Sequence, residues 1–156
     1  MERKTNVMRM LDSLGVLYRA HAYPVNGAPS GAQVAEMLGK DPATVFKTLV
    51  TVGGSGGPYV FVIPVSKELS LKKAAAVVGE KTLAMLKSRE LLPLTGYIHG
   101  GCSPIGMKRT FPTVADVSVT RCETMLFSAG KVGFQVEMRP EDAKRLINFT
   151  VADVAE

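Results

Sequence analysis

Val45-Phe46-Lys47-Thr48-Leu49-Val50-Thr51-Val52, then Gly53-Gly54-Ser55-Gly56-Gly57, then the apolar run from Tyr59 to Val65 make the plainest structural statement in this chain. The first run is rich in β-branched side chains, which suit a pleated, half-buried surface, so it reads as a strand. Five small residues are the right length for a hairpin connection and too few for a domain linker. The second run is almost wholly apolar, which places it at the centre of a sheet. Lys47 stands out as a cation inside the first strand. Side chains alternate along a strand, so it shares a face with Val45 and Leu49. A lysine there must snorkel to water, pair with an anion or titrate low. An edge-strand lysine that discourages aggregation is the alternative.

Outward from this hairpin, strands and helices alternate without a βαβ rhythm. Val7, Met8, Leu11 and Leu14 fall at helical spacing within residues 5–15, with Gly15 as a stop, and 16–23 reads as a strand. Asn26, Gly27, Pro29 and Gly31 make a loop, and Gln33 to Leu38 a short helix ended by Gly39. Downstream, Leu71 to Val78 is a helix stopped by Gly79, whereas 81–92 fits either a strand plus a helical turn or one helix. Thr113 to Val119, Thr124 to Ser128 and Phe134 to Met138 read as strands, with Gly130 and Gly133 turning the last pair. Pro140, followed by Glu141 and Asp142, opens a helix to about Ile147. The pattern is α+β, with a mixed, largely antiparallel sheet. At 156 residues the chain fits a single domain, 1–156, without internal repeats.

Composition narrows the function classes. Hydrophobic residues make up 46% and charged residues 21%, which excludes a chain too polar to fold. No stretch of eighteen apolar residues and no apolar leader occurs, so the reading is a soluble cytoplasmic protein with no membrane partner. The net charge of +5 would favour a polyanion such as RNA. Lys67, Lys72, Lys73, Lys81 and Lys87 crowd the middle third, and Lys108 and Arg109 follow a glycine loop; solvated helix faces are the plainer reading for the former. Cys102 and Cys122 form no C-x-x-C pair, and His21 and His99 have no metal-ligand spacing, so no metal and no cofactor is expected.

That glycine loop is Gly100-Gly101-Cys102-Ser103-Pro104-Ile105-Gly106. Glycines let backbone amides approach a guest, and a run of them makes an anion-binding concavity; a plain turn is the alternative. Cys102 with His99 could form a nucleophile and base, but proximity in sequence shows no such contact, and a free cysteine is more often a small buried hydrophobe. Ser103 lacks a G-x-S-x-G elbow. An anion cradle and a lysine without a protein nucleophile suit a reaction that needs binding, orientation and electrostatic stabilisation, with the nucleophile coming from the substrate or from water.

Val45-Phe46-Lys47-Thr48-Leu49, Gly96-Tyr97-Ile98-His99 running into the glycine loop, Phe111-Pro112-Thr113-Val114-Ala115-Asp116 and Ser128-Ala129-Gly130-Lys131 together resemble the aminoacyl-tRNA deacylases of the YbaK/EbsC type. The likeness spans nearly the whole chain. It implies a mixed barrel-like sheet with surrounding helices and a pocket for the aminoacylated 3′ adenosine of tRNA. It assigns catalysis to Lys47, Gly101 and Ser103. It assigns substrate binding to Phe46, Gly100, Pro104 and Gly106, with Tyr23, Thr48, Asp116, Ser128 and Gly130 lining or supporting the pocket. Cys-tRNA(Pro) is the expected substrate, cleaved by attack of its own thiol on the ester; Ala-tRNA(Pro) or another small aminoacyl-tRNA is the alternative. The aminoacylated 3′ end of tRNA is the implied partner, and prolyl-tRNA synthetase is a further one that the sequence leaves open. A non-catalytic tRNA- or nucleotide-binding module is the reading from another class. Ser30 stands where some members carry an aromatic residue, and Gln135 where an acidic one is expected, which bears on the choice of amino acid.

Overall fold

A computed structural model describes residues 4–156 apart from 26 and 28; Asn26 of the expected loop therefore lies outside the described residues. In chain order the elements are α1 (Asn6–Ser13), β1 (Arg19–Ala22), α2 (Gly31–Leu38), β2 (Phe46–Gly53), β3 (Pro58–Pro64), α3 (Leu71–Val78), β4 (Leu83–Met85) and α4 (Ser88–Thr95). They continue with β5 (Thr113–Asp116), a 3-10 turn (Val117–Arg121), β6 (Met125–Ser128), β7 (Phe134–Met138), α5 (Pro140–Ile147) and β8 (Thr150–Ala152). The α+β expectation holds. The ambiguous stretch 81–92 resolves into a strand followed by a helix, and the strand expected over 113–119 stops at Asp116, where the chain tightens into the 3-10 turn.

Two sheets form, ordered β4-β2-β3-β5-β8 and β1-β7-β6. β2 and β3 are the expected hairpin, with Lys47 opposite Ile63. β3 pairs parallel with β5, and β5 parallel with β8, so the larger sheet is mixed. The sheets meet where Val45 bridges Leu126, and they do not close into a barrel.

β3 is apolar because both of its faces are covered. Val62 packs with Val7, Met8, Phe46, Phe127 and Met138 between the sheets. Phe61 and Ile63 pack on the other side with Ala74, Ala75 and Val154. Full burial of a Phe or Ile contributes about 1.5–3 kcal/mol each, so this strand anchors the fold.

α2 begins at a reciprocal cap. The Gln33 amide N–H donates to the Ser30 hydroxyl at 3.2 Å, and the Ser30 N–H donates to Oε1 of Gln33 at 2.8 Å. Gly31 lies so close to Val65 that a Cβ would meet its Cγ1 at 2.5 Å. A side chain here would push α2 off the end of the hairpin.

Candidate active site

A cleft of about 980 Å³ opens beside the first half of β2, at the upper end of the roughly 300–1,000 Å³ usual for ligand pockets. β2 lines one wall, Ser30, Gly31, Gln33 and Val34 a second, Met85, Leu86, Ser88 and Leu91 a third, and Ile98 to Gly100 with Cys102 and Val132 the fourth. Of the residues singled out from sequence, Tyr23, Phe46, Lys47, Thr48, Gly100 and Ser128 line this cleft. Gly101, Ser103, Pro104, Gly106, Asp116 and Gly130 do not.

Lys47 is 28% exposed, and its Nζ lies 3.6 Å from Oε1 of Glu68, which is 82% exposed. Two reciprocal backbone bonds hold Glu68: its N–H donates to the Glu156 carbonyl at 3.1 Å, and the Glu156 N–H donates back at 2.9 Å. The ammonium thus borders the cleft with a solvated counter-ion that an incoming anion can replace. A loose pair of this kind contributes little to stability, because water screens the exposed carboxylate.

Two polar atoms in the cleft lining are buried without a partner, Oγ1 of Thr48 and Oε1 of Gln135. Leaving a buried acceptor unpaired costs about 1–3 kcal/mol, so each of these oxygens calls for a donor from a ligand or from water. Gln135 lies opposite both His21 on β1 and Ser128 on β6. Its orphaned oxygen is a property of three assembled strands.

The glycine loop divides into cradle and support. Gly100 adopts φ +86° and lines the cleft with Cys102. Their N–H groups have no acceptor among the described residues. The Gly101 N–H is spent on the Ile98 carbonyl at 3.0 Å, closing the turn. A Cβ on Gly101 would stand 3.2 Å from the Val132 nitrogen and 3.4 Å from Lys131 Cα, so its part is close packing of two backbones. Ser103 is fully buried, and its hydroxyl accepts from the Ile105 N–H at 3.2 Å. Pro104 is half-buried beside it.

Tyr97 joins these pieces. Its hydroxyl donates to the Ile105 carbonyl, and its ring fills the space next to Gly106 at φ +79° and Gly130 at φ +90°. Burial, then the nearby Cys102, pushes its hydroxyl up to about 12. Ser128 accepts from the Gly130 N–H at 3.1 Å, setting the turn next to the cradle. Asp116 is 2% exposed and receives the N–H groups of Ser118, Val154 and Ala155, each at 3.1 Å. Burial alone would raise its carboxyl, but those amides outweigh it and hold it below the usual range.

Cys102 packs with Val50, Val60 and Phe111, and burial pushes its thiol up to about 12. It is a thiol at neutral pH, and no bond to His99 occurs. Lys108 and Arg109 are also engaged elsewhere. The Lys108 ammonium donates to the Pro93 carbonyl at 3.5 Å, and the Arg109 guanidinium sits 5.7 Å above the Phe111 ring. Among the described residues no group of three His, Cys, Asp or Glu side chains is placed to hold a metal, and no helix is long and apolar enough to cross a membrane.

Sequence reasoning missed Gln135 as an orphaned acceptor, Tyr97 as a brace, and the whole β4–α4 wall. Gln135 carried no signal beyond its departure from the resembled pattern and Tyr97 none beyond its place in it, and the wall fell in the stretch whose period was ambiguous. Ser30, a departure from the resembled pattern, serves as the cap of α2.

The family model described as an aminoacyl-tRNA editing domain matches residues 26–146. Over 154 residues the chain is 44% identical to the Enterococcus faecalis protein EbsC, named as a candidate Cys-tRNA(Pro)/Cys-tRNA(Cys) deacylase, covering 98% of this chain and 94% of that one. It is 31% identical over 102 residues to the proline–tRNA ligase of Shouchella clausii, covering 65% of this chain and 18% of the ligase. Among solved structures, a hypothetical protein superposes with a TM-score of 0.87 at 25% identity, over 96% of this chain and 99% of the other. A protein proposed as a trans-editing enzyme for prolyl tRNA synthetase superposes with a TM-score of 0.85 at 23% identity, over 99% of both chains.

Proposed function

The chain belongs to the aminoacyl-tRNA editing domain family, and from that membership we infer that it is an aminoacyl-tRNA deacylase acting in trans, with Cys-tRNA(Pro) as its substrate. The observation that carries this reading is the near full-length 44% identity to the Enterococcus faecalis protein. A synthetase site sized for proline cannot strongly reject small amino acids that differ by about 1–3 kcal/mol in binding, so a second pocket must clear the errors.

In this reading the terminal adenosine and its aminoacyl ester occupy the cleft. Lys47 exchanges Glu68 for a substrate anion, either a phosphate oxygen or the charge developing at the carbonyl. The N–H groups of Gly100 and Cys102 are the donors available to that carbonyl oxygen, while Gly101 and Ser103 hold the loop in shape. The unpartnered oxygens of Thr48 and Gln135 receive the substrate's ammonium. Tyr23, Phe46 and Ser128 complete the walls; Pro104, Gly106, Gly130 and Asp116 support them from behind.

No activated protein nucleophile faces this space among the described residues, and Cys102 stays protonated. The substrate's own thiol supplies the attack. A bond forms between sulfur and the ester carbon, the bond from that carbon to the ribose oxygen breaks, and the thiol proton ends on the released ribose hydroxyl. Water then opens the cyclic thioester. Docking on prolyl-tRNA synthetase would deliver the mischarged tRNA; similarity to part of a proline–tRNA ligase supports that partner.

The test is amino acid release from Cys-tRNA(Pro), Cys-tRNA(Cys) and Ala-tRNA(Pro) by wild type and Lys47→Ala. Cys-tRNA(Pro) should be cleaved, with a loss of about 100-fold or more in the variant. Cleavage of Ala-tRNA(Pro) at an equal rate would sink the thiol step, and intact activity in the variant would sink the role of Lys47. Tight tRNA binding without any turnover would make the protein a binding module.

A further inference from the structure

Some basic residues of this chain are engaged and others are not. Lys40, Lys73, Arg139 and Arg145 pair with carboxylates, and Lys108 and Arg109 are engaged as described above. Several others, Lys87, Arg89 and Lys131 among them, are exposed and have no acidic partner among the described residues. These three are set apart by standing next to residues of the cleft lining. Lys87 and Arg89 flank Ser88, and Lys131 precedes Val132, and both Ser88 and Val132 line the cleft from neighbouring walls. The Lys131 backbone packs against Gly101 of the cradle loop. Two large apolar side chains lie exposed at the same lining, Met85 at 45% and Ile98 at 55%.

We propose that Lys87, Arg89 and Lys131 form a phosphate track at the cleft mouth that grips the single-stranded 3′ end of the RNA, with Met85 and Ile98 against its bases. The proposal rests on the deacylase reading. An ester held in the cleft trails its nucleotides across the mouth, and a single strand offers a phosphate charge and an apolar base face at every step. Unpaired cations beside a lining with exposed apolar side chains match that chemistry. Glu90 is the acid on the same helix turn, and it leaves the rim net positive.

Neutralising the three cations together, as Lys87→Gln, Arg89→Gln and Lys131→Gln, tests the track in the full-length protein. For single strands, log affinity falls by about 0.7 per phosphate contact per log unit of salt. Between 50 and 200 mM salt, wild type should therefore lose roughly 20-fold more affinity for uncharged tRNA(Pro) than the triple variant does. In turnover, kcat/KM should fall about tenfold or more for Cys-tRNA(Pro) and less than about twofold for cysteinyl-adenosine, which has no trailing phosphates. An unchanged salt slope overturns the track. Loss of prolyl-tRNA synthetase binding with tRNA binding intact also overturns it, reassigning the face to a protein. If wild type cleaves no ester yet the triple variant loses the salt slope, the track stands and the deacylase reading falls.

Discussion

Gly101 and Gln135 bear on the cleft in opposite ways, one by what it leaves out and the other by what it leaves unpaired. At Gly101 an added methyl meets backbone, which cannot swing aside as a side chain would. Gly101→Ala should cost about 1–3 kcal/mol in urea unfolding and also raise KM, because the cradle and the 130–133 turn must separate. Gln135→Leu should do the reverse to stability. Removing an orphaned buried oxygen should leave the melting temperature equal or higher, while kcat/KM falls about tenfold or more if the substrate ammonium is received there. Lowered stability with unimpaired turnover would mean Gln135 is only packing. Lys47 was legible from sequence because a cation in an apolar strand contradicts its surroundings. Gln135 was not, since a glutamine between Phe134 and Val136 becomes an orphan only after β1 and β6 have enclosed it.

Among the elements, the hairpin, α3, β7 and α5 were readable because composition and punctuation agreed at both ends: Gly79 stops α3, and Pro140 opens α5. β4 and α4 were not. Three strand residues are too few to set a period, and Pro93 interrupts the helical one. α4 also starts at Lys87 without a side-chain cap. Lys87→Ser should therefore stabilise the fold by about 0.5–1 kcal/mol in thermal or urea unfolding, by giving the first turn an acceptor. β8 escaped notice for a different reason. It is three residues long and follows a helix, and its neighbour β5 comes from far back in the chain. The Asp116 carboxylate, which receives the Val154 and Ala155 amides just past β8, fixes that pairing, and no local pattern announces it.

Across the whole molecule, two buried carboxylates tie distant segments. Asp116 joins β5 to the residues after β8. Glu137 on β7 holds His21 of β1 at 2.8 Å, Lys40 after α2 at 3.3 Å, and accepts from the Thr124 hydroxyl ahead of β6. Burial alone would raise the Glu137 carboxyl, but Thr124, His21 and Lys40 outweigh it and hold it low. Both groups are depressed in the folded state, so each stabilises the fold above its unfolded pKa of about 4, and that stabilisation is lost as pH falls through the lower folded values. Asp116→Asn and Glu137→Gln should each be less stable at neutral pH, by about 1–3 kcal/mol, and show a shallower loss than wild type on acidification below about pH 5. Equal slopes in urea titrations across that range would refute the linkage. The bonds between Glu68 and Glu156 reach furthest in time. They pin the loop facing Lys47 to Glu156, and the Leu69–Ala155 bridge reinforces them. During synthesis the hairpin emerges early, but the ribosome must release residues 150–156 before this side of the cleft can set. A chain stalled or cut before residue 150 can therefore fold its hairpin while its cleft stays unfinished, so cleft assembly comes after translation of residues 150–156.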